Sequence, residues 1–270
     1  MQFISYAQNF EDVILWRALG HIQTGFYVDV GAYSPDIDSV TKAFYERGWS
    51  GINIEPNPDF QTQYLSKRER DINLDVAISN IEGESEIYLT GNLGLSSLDK
   101  SIVDNHKTLG FASYSRKISV TTLTKICHEY AYAREIHFLK VDVEGLEKNV
   151  LLGNDWNRFR PWIVVVEATQ PLTQIENHEE WEYILLDNNY EFVYSDGLNR
   201  FYVSQEHSDL IDSFKYPPNV FDHFIQFSHF EALQQAAKIT YAIEFEHKIK
   251  SLMAWKILNF FRQNIIKLFK

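Results

Sequence analysis

Phe26-Tyr27-Val28-Asp29-Val30-Gly31-Ala32-Tyr33 is a short apolar β run that ends in an acid and a glycine. Ser34-Pro35 follows at once and reads as the cap and first turn of a helix. In a parallel sheet, a strand, tight turn and helix in this order deliver backbone N–H groups to the carboxyl edge, where open α/β folds bind their ligands. The stretch predicts an α/β fold with its first ligand loop at Gly31. A plain turn glycine is the alternative.

The glycines discriminate between ligand classes. A dinucleotide loop needs G-x-G-x-x-G so that the backbone can touch a pyrophosphate. Gly31 is followed by Ala32, Tyr33, Ser34, Pro35 and Asp36, with no second glycine. A ligand without phosphates, such as S-adenosylmethionine, depends more on acceptors for ribose hydroxyls and an ammonium group. Asp29 fits that need, and so does Glu55 at the tip of the next strand, Gly51-Ile52-Asn53-Ile54-Glu55. Both nucleotide-binding arrangements place a ribose-binding acid at that tip. Pro56-Asn57-Pro58 then turns the chain into a helix.

Composition narrows the function. With 270 residues, 45% of them hydrophobic, the chain suffices for one large α/β domain with an appendage. A formal net charge of −12 disfavours a nucleic-acid substrate. The single cysteine, Cys127, permits no internal disulfide, which suits a reducing, cytoplasmic setting. The N-terminus lacks a basic region and a long apolar core, and the apolar end of the chain is broken by Lys256, Arg262 and Lys267.

In chain order, Ser5 to Leu19 predicts a lead-in and helix, with Gln8, Glu11 and Asp12 either on a solvated face or closing over the ligand. Asp36 to Arg47 predicts a helix that stops at Gly48. Ile72 to Ile78 is the third strand, and Asp75, Val76 and Ala77 are candidates for an adenine-pocket wall. Glu84 to Leu89 is a short strand. Thr90 to Lys117 is a long connection whose His106, Phe111, Tyr114 and Arg116 suit a substrate lid. A strand at Ile118 to Val120 and a helix from Thr122 to Tyr130 follow.

The second informative stretch is Ile136-His137-Phe138-Leu139-Lys140-Val141-Asp142-Val143-Glu144-Gly145, a buried strand that runs into a turn. Trp162 to Glu167 is a nearly continuous apolar run of the kind a strand covered on both faces shows. Asp142, Glu144 and Glu167 therefore converge at two neighbouring strand tips, as a general base or as oxygen ligands for Mg²⁺. The alternative gives Asp142 to the cofactor and makes Glu144 a helix cap. His137 lies inside a strand and is the weaker base. His178 to Leu186 predicts a helix. Tyr190 to Tyr194 and Arg200 to Ser204 flank Ser195-Asp196-Gly197-Leu198-Asn199 as a hairpin, which closes the sheet antiparallel.

Pro217-Pro218 precedes a helical, aromatic segment that turns basic after Glu246. Such a helix can lie on anionic lipid or pack on a partner: its own domain, a second subunit or a glycosyltransferase. Packing is the plainer expectation.

Tyr6-Ala7-Gln8-Asn9-Phe10-Glu11-Asp12, Phe26 to Ala32, Asn53-Ile54-Glu55-Pro56-Asn57, Val76-Ala77-Ile78-Ser79 and Leu139 to Gly145, in this order, resemble the FkbM family of S-adenosylmethionine-dependent methyltransferases. The resemblance spans residues 5 to 205. Tyr33 stands where many methyltransferases carry a second loop glycine. The resemblance implies a class I methyltransferase (Rossmann-like) fold over residues 1–205, with a mostly parallel sheet that ends in an antiparallel hairpin. Residues 206–270 would form a helical C-terminal extension.

It further implies O-methylation of a sugar hydroxyl in a surface polysaccharide or glycolipid, or of a macrolide-type natural product. Cofactor contacts are expected from Gln8, Asp29, Gly31, Ala32, Tyr33, Glu55, Pro56, Asp75, Val76, Ala77 and Asp142, and catalysis or metal binding from Asp142, Glu144 and Glu167. Readings of another class are a non-catalytic scaffold subunit of a glycan-assembly complex and an NAD-dependent oxidoreductase, the latter disfavoured by the missing glycines and the hairpin.

Overall fold

The computed structural model describes residues 2–89 and 114–268. Up to residue 204 the strands are β1 (Phe3–Ser5), β2 (Phe26–Val30), β3 (Ser50–Ile54), β4 (Ile72–Leu74), β5 (Ala77–Ile78), β6 (Gly83–Leu89), β7 (Tyr114–Thr121), β8 (Phe138–Val141), β9 (Ile163–Glu167), β10 (Tyr190–Ser195) and β11 (Asn199–Ser204). Seven of them form one sheet in the order β10-β11-β9-β8-β2-β3-β4. Pairing is parallel from β9 through β8, β2 and β3 to β4. It is antiparallel where β11 joins β9 and β10. The chain starts in the middle at β2, moves outward to β4, then returns to place β8 on the other side of β2. That reversal opens the crevice where α/β sheets bind ligands.

The central strands are buried on both faces, and alternate residues feed two cores. Val28, Val30, Leu139, Val141, Val164 and Val166 face one core with Ile126 and Cys127 of helix α4 (Leu123–Tyr130) and with Val150 and Leu151 of α5 (Glu147–Leu152). Tyr27, Phe138, Ile163 and Val165 face the other, with Ile14, Leu15 and Leu19 of α1 (Glu11–Leu19) and with Phe44 of α2 (Lys42–Tyr45). Each fully buried aliphatic or aromatic side chain of this kind contributes about 1.5–3 kcal/mol relative to exposure. The remaining helices are α3 (Pro58–Lys67), which Asn57 caps by accepting from Asp59 N, α6 (Glu182–Leu186) and α7 (Phe227–Leu268).

Three expectations about the elements change. Residues 36–41 are not helical: Asp38 has φ +54° and Ser34 Oγ accepts from Asp36 N and Ile37 N, a local turn that competes with the helix. The strand expected from Ile72 to Ile78 breaks at Asp75-Val76, and β5 leaves the main sheet to pair with β7. β7 begins at Tyr114, so Tyr114 and Arg116 belong to a strand paired with β6 rather than to a lid. His106 and Phe111 lie outside the described residues.

Glu11 and Asp12 are buried, not on a solvated face. Asp12 accepts from Ser5 Oγ, Tyr6 N and Ala7 N, which ties down the chain ahead of α1.

The chain separates into two compact units, Met1–Phe224 and Ile225–Lys270. Residues 205–224 thus cluster with the first unit. The reason is local: Leu210 and Phe214 are buried in a core, and Arg17 grips Asp222 and the carbonyls of Ser213, Tyr216 and Pro217. Among the described residues, no helix is long and apolar enough to cross a membrane.

Candidate active site

A cavity of about 640 Å³ opens at the carboxyl edge of the sheet, beside the β2/β8 reversal. One wall is the loop after β2. Gly31 has φ +77°, and a Cβ there would sit 1.7 Å from the Asp142 carbonyl oxygen, so the loop has room only for glycine. Tyr33 also takes a left-handed conformation, φ +49°. Where a second glycine is usual, Tyr33 is held by its N–H, which donates to Glu55 Oε2 at 2.8 Å, and by its ring against Phe60.

Glu55 stands at the tip of β3 as expected. Its Oε1 accepts from Asn57 N at 2.7 Å, so two backbone donors orient the carboxyl group. Burial raises its pKa to about 7, against those two bonds and the nearby Lys140. Pro56, Val76, Ala77, Ile78 and Ile87 line the same side of the cavity. Gln8 reaches it from the lead-in to α1.

Asp29, Ala32 and Asp75 are placed otherwise. Ala32 is buried beside Phe60 and Tyr64, behind the loop. Asp75 pairs with Arg116 of β7 and does not line the cavity. Asp29 is fully enclosed: its Oδ2 accepts from Thr41 Oγ1, and its Oδ1 lies 3.9 Å from Lys140 Nζ. Asp29 therefore supports the site from beneath instead of touching its contents.

The other acids line the same cavity. Asp142 follows β8, Glu144 sits in the next turn with φ +54°, and Glu167 ends β9; all three line the cavity. Glu147, not Glu144, ties the turn together, its Oε1 accepting from Val143 N and Gly145 N. The Glu167 carboxyl group reaches Asp142, and burial first, then the charges of Asp142, Glu144 and Glu147, push its pKa well up. Glu144 is raised as well, by burial and then by Asp142 and Glu147. Burial and neighbouring negative charge both favour the protonated form of a carboxyl group.

Among the described residues, no group of three or more His, Cys, Asp or Glu is arranged to hold a metal ion.

Lys140 is the residue that sequence reasoning passed over. It is 7% exposed, within β8, with its Nζ 3.1 Å from Asp142 Oδ2 and 3.5 Å from the Gly31 carbonyl. Burial opposes its charge, but Asp142 and Asp29 outweigh burial and raise its pKa. A lysine inside an apolar strand, Phe138-Leu139-Lys140-Val141, is itself the signal, because such a charge is rarely buried without a partner. Asp38 and the loop residues Thr169, Leu172, Thr173 and Gln174 were also missed; they line the cavity, and no sequence pattern marks them. His137 accepts at Nδ1 from Phe26 N and is absent from the cavity lining.

Among curated proteins, none matches the chain. A solved structure, the precorrin-6y C5,15-methyltransferase from Geobacter metallireducens GS-15, is similar over 73% of this chain and 89% of its own, with 11% identity and a TM-score of 0.36. At that distance the likeness carries no argument about the site. The family described as methyltransferase FkbM domain matches residues 29–192, more than half of the chain. The match runs from the acid of the first strand, through Glu55 and the Asp142 turn, into the closing hairpin, and by it the chain is a member of the FkbM family of S-adenosylmethionine-dependent methyltransferases.

Proposed function

We propose that the chain transfers a methyl group to a sugar hydroxyl of a surface polysaccharide, glycolipid or related glycan. The observation that carries this reading is the meeting, in one cavity, of Glu55 with Asp142, Glu144 and Glu167.

The residues present fit S-adenosylmethionine. Glu55, with both oxygens already oriented by backbone donors, accepts from ribose hydroxyls; Val76, Ala77 and Ile78 offer an apolar slot for a base; Gly31 brings bare backbone close. Bound cofactor supplies a methyl group activated by its sulfonium. The chain must then hold the hydroxyl in line and take its proton.

Glu167 and Glu144 suit that task, because an acid with a raised pKa is a stronger base once ionised. Lys140, 3.1 Å from Asp142 Oδ2, holds that carboxyl group in place beside the glutamates. The polar lining residues Thr169, Thr173 and Gln174 suit a hydroxyl-rich acceptor.

The test is incubation with methyl-labelled S-adenosylmethionine and, separately, a sugar nucleotide, a lipid-linked oligosaccharide and a macrolide aglycone. Label in an O-methyl sugar supports the reading. Label in the aglycone alone, or cofactor binding with no transfer to any acceptor, overturns it.

A further inference from the structure

Helix α7 (Phe227–Leu268) spans 42 residues, about 63 Å at 1.5 Å per residue. Its large side chains are exposed, among them Tyr241, Phe245, Trp255, Leu258, Phe260 and Phe261, each more than half open to solvent. An exposed apolar surface of this extent marks a surface that something covers.

Two features identify the occupant. The first is charge. His247 to Arg262 contains Lys248, Lys250, Lys256 and Arg262 and no Asp or Glu, in a chain of net charge −12. A parallel copy of the same helix would set these cations against themselves, whereas an anionic surface complements them.

The second is the distribution of apolar residues. In the run 252–261 only Lys256 and Asn259 are polar. At about 100° per residue the apolar side chains pass round most of the helix and do not form the narrow seam a coiled coil requires. A basic helix rich in exposed aromatics suits the boundary between headgroups and acyl chains, where long lysines reach back to the headgroups. Among the described residues no helix is long and apolar enough to cross a bilayer, so contact with one would be along its surface.

We propose that residues 247–262 bind an anionic bilayer surface, with Trp255, Phe260 and Phe261 entering the acyl boundary and the lysines meeting headgroup phosphates. This goes beyond the methyl-transfer reading and does not rest on it.

The test is flotation of the full chain with phosphatidylcholine vesicles, with and without one quarter phosphatidylglycerol, at low and high salt. Partition onto the anionic vesicles alone, weakened by salt, is expected. Lys248→Gln, Lys250→Gln and Lys256→Gln together should lower it by on the order of 100-fold, at roughly fivefold per charge. Trp255→Ser, Phe260→Ser and Phe261→Ser should abolish it. Titration with S-adenosylhomocysteine checks that both variants keep the first unit folded. No preference for anionic vesicles overturns the proposal. So does a self-association seen by light scattering without lipid that the serine variant removes while vesicle binding stays unchanged.

Discussion

Lys140 Nζ lies 3.1 Å from Asp142 Oδ2, and the same ammonium is 3.9 Å from Asp29 Oδ1. One buried cation thus joins an acid beneath the site to an acid on its wall. β2 and β8 pair with Asp29 opposite Lys140, so the parallel register itself sets this contact.

Lys140→Met should destabilise the fold by about 3–5 kcal/mol, the usual penalty for leaving a buried charge without its partner. Urea unfolding measures it. Asp29→Asn combined with Lys140→Met should recover part of that loss, because one orphaned charge is removed with it. A double variant no more stable than the single would show that Asp29 and Lys140 are not coupled.

Glu55→Gln should weaken S-adenosylhomocysteine binding by about 1.5–3 kcal/mol, the range for hydrogen bonds to a charged group. Calorimetric titration reads it directly. The amide keeps only one acceptor for the two N–H groups of Tyr33 and Asn57, so a smaller loss of thermal stability should accompany it.

Glu167→Gln should lower turnover by about 10²–10⁴-fold, the span of general acid–base catalysis, while leaving cofactor affinity nearly unchanged. Steady-state rates beside the same titration separate the two effects. Normal turnover in Glu167→Gln and in Asp142→Asn would remove the acids from the mechanism.

The pH dependence has a definite sign. A base must be ionised to act, and Glu144 and Glu167 hold their protons above the ordinary glutamate range, so turnover should climb through neutral into mildly alkaline pH. Glu167→Gln should flatten that limb of the rate profile.

Stability should run the other way. Burial raises Glu11, Glu55 and Glu147 to about 7 and Asp12 to about 6. Each binds its proton more tightly folded than unfolded, where carboxylates titrate near about 4. Their contribution is complete below the unfolded value and is lost as pH rises through 6 to 7. Without ligand, the Tm should be higher at weakly acidic than at weakly alkaline pH. Glu55→Gln should show a shallower fall in differential scanning calorimetry.

The local record in the chain was strong for the parallel strands and for the acids at their tips. Continuous apolar runs such as Ile163 to Val166 have one physical explanation, burial on both faces, and Asn57 and Pro58 together mark a helix start. Residues 36–41 misled because Ser34 offers its oxygen to two amides, a choice between turn and helix that propensity does not settle. Asp75 misled because its partner, Arg116, lies 41 positions away in sequence.

By itself, then, the sequence determined that acids stand at the ends of Val28-Asp29-Val30, Ile52-Asn53-Ile54 and Lys140-Val141, since strand ends and turns follow from neighbours in the chain. Only the tertiary structure decided that Asp29 faces inward to Lys140 while Asp142 and Glu167 meet across adjacent strands. Which acid binds and which supports depends on register and burial, and those arise between segments far apart in the chain.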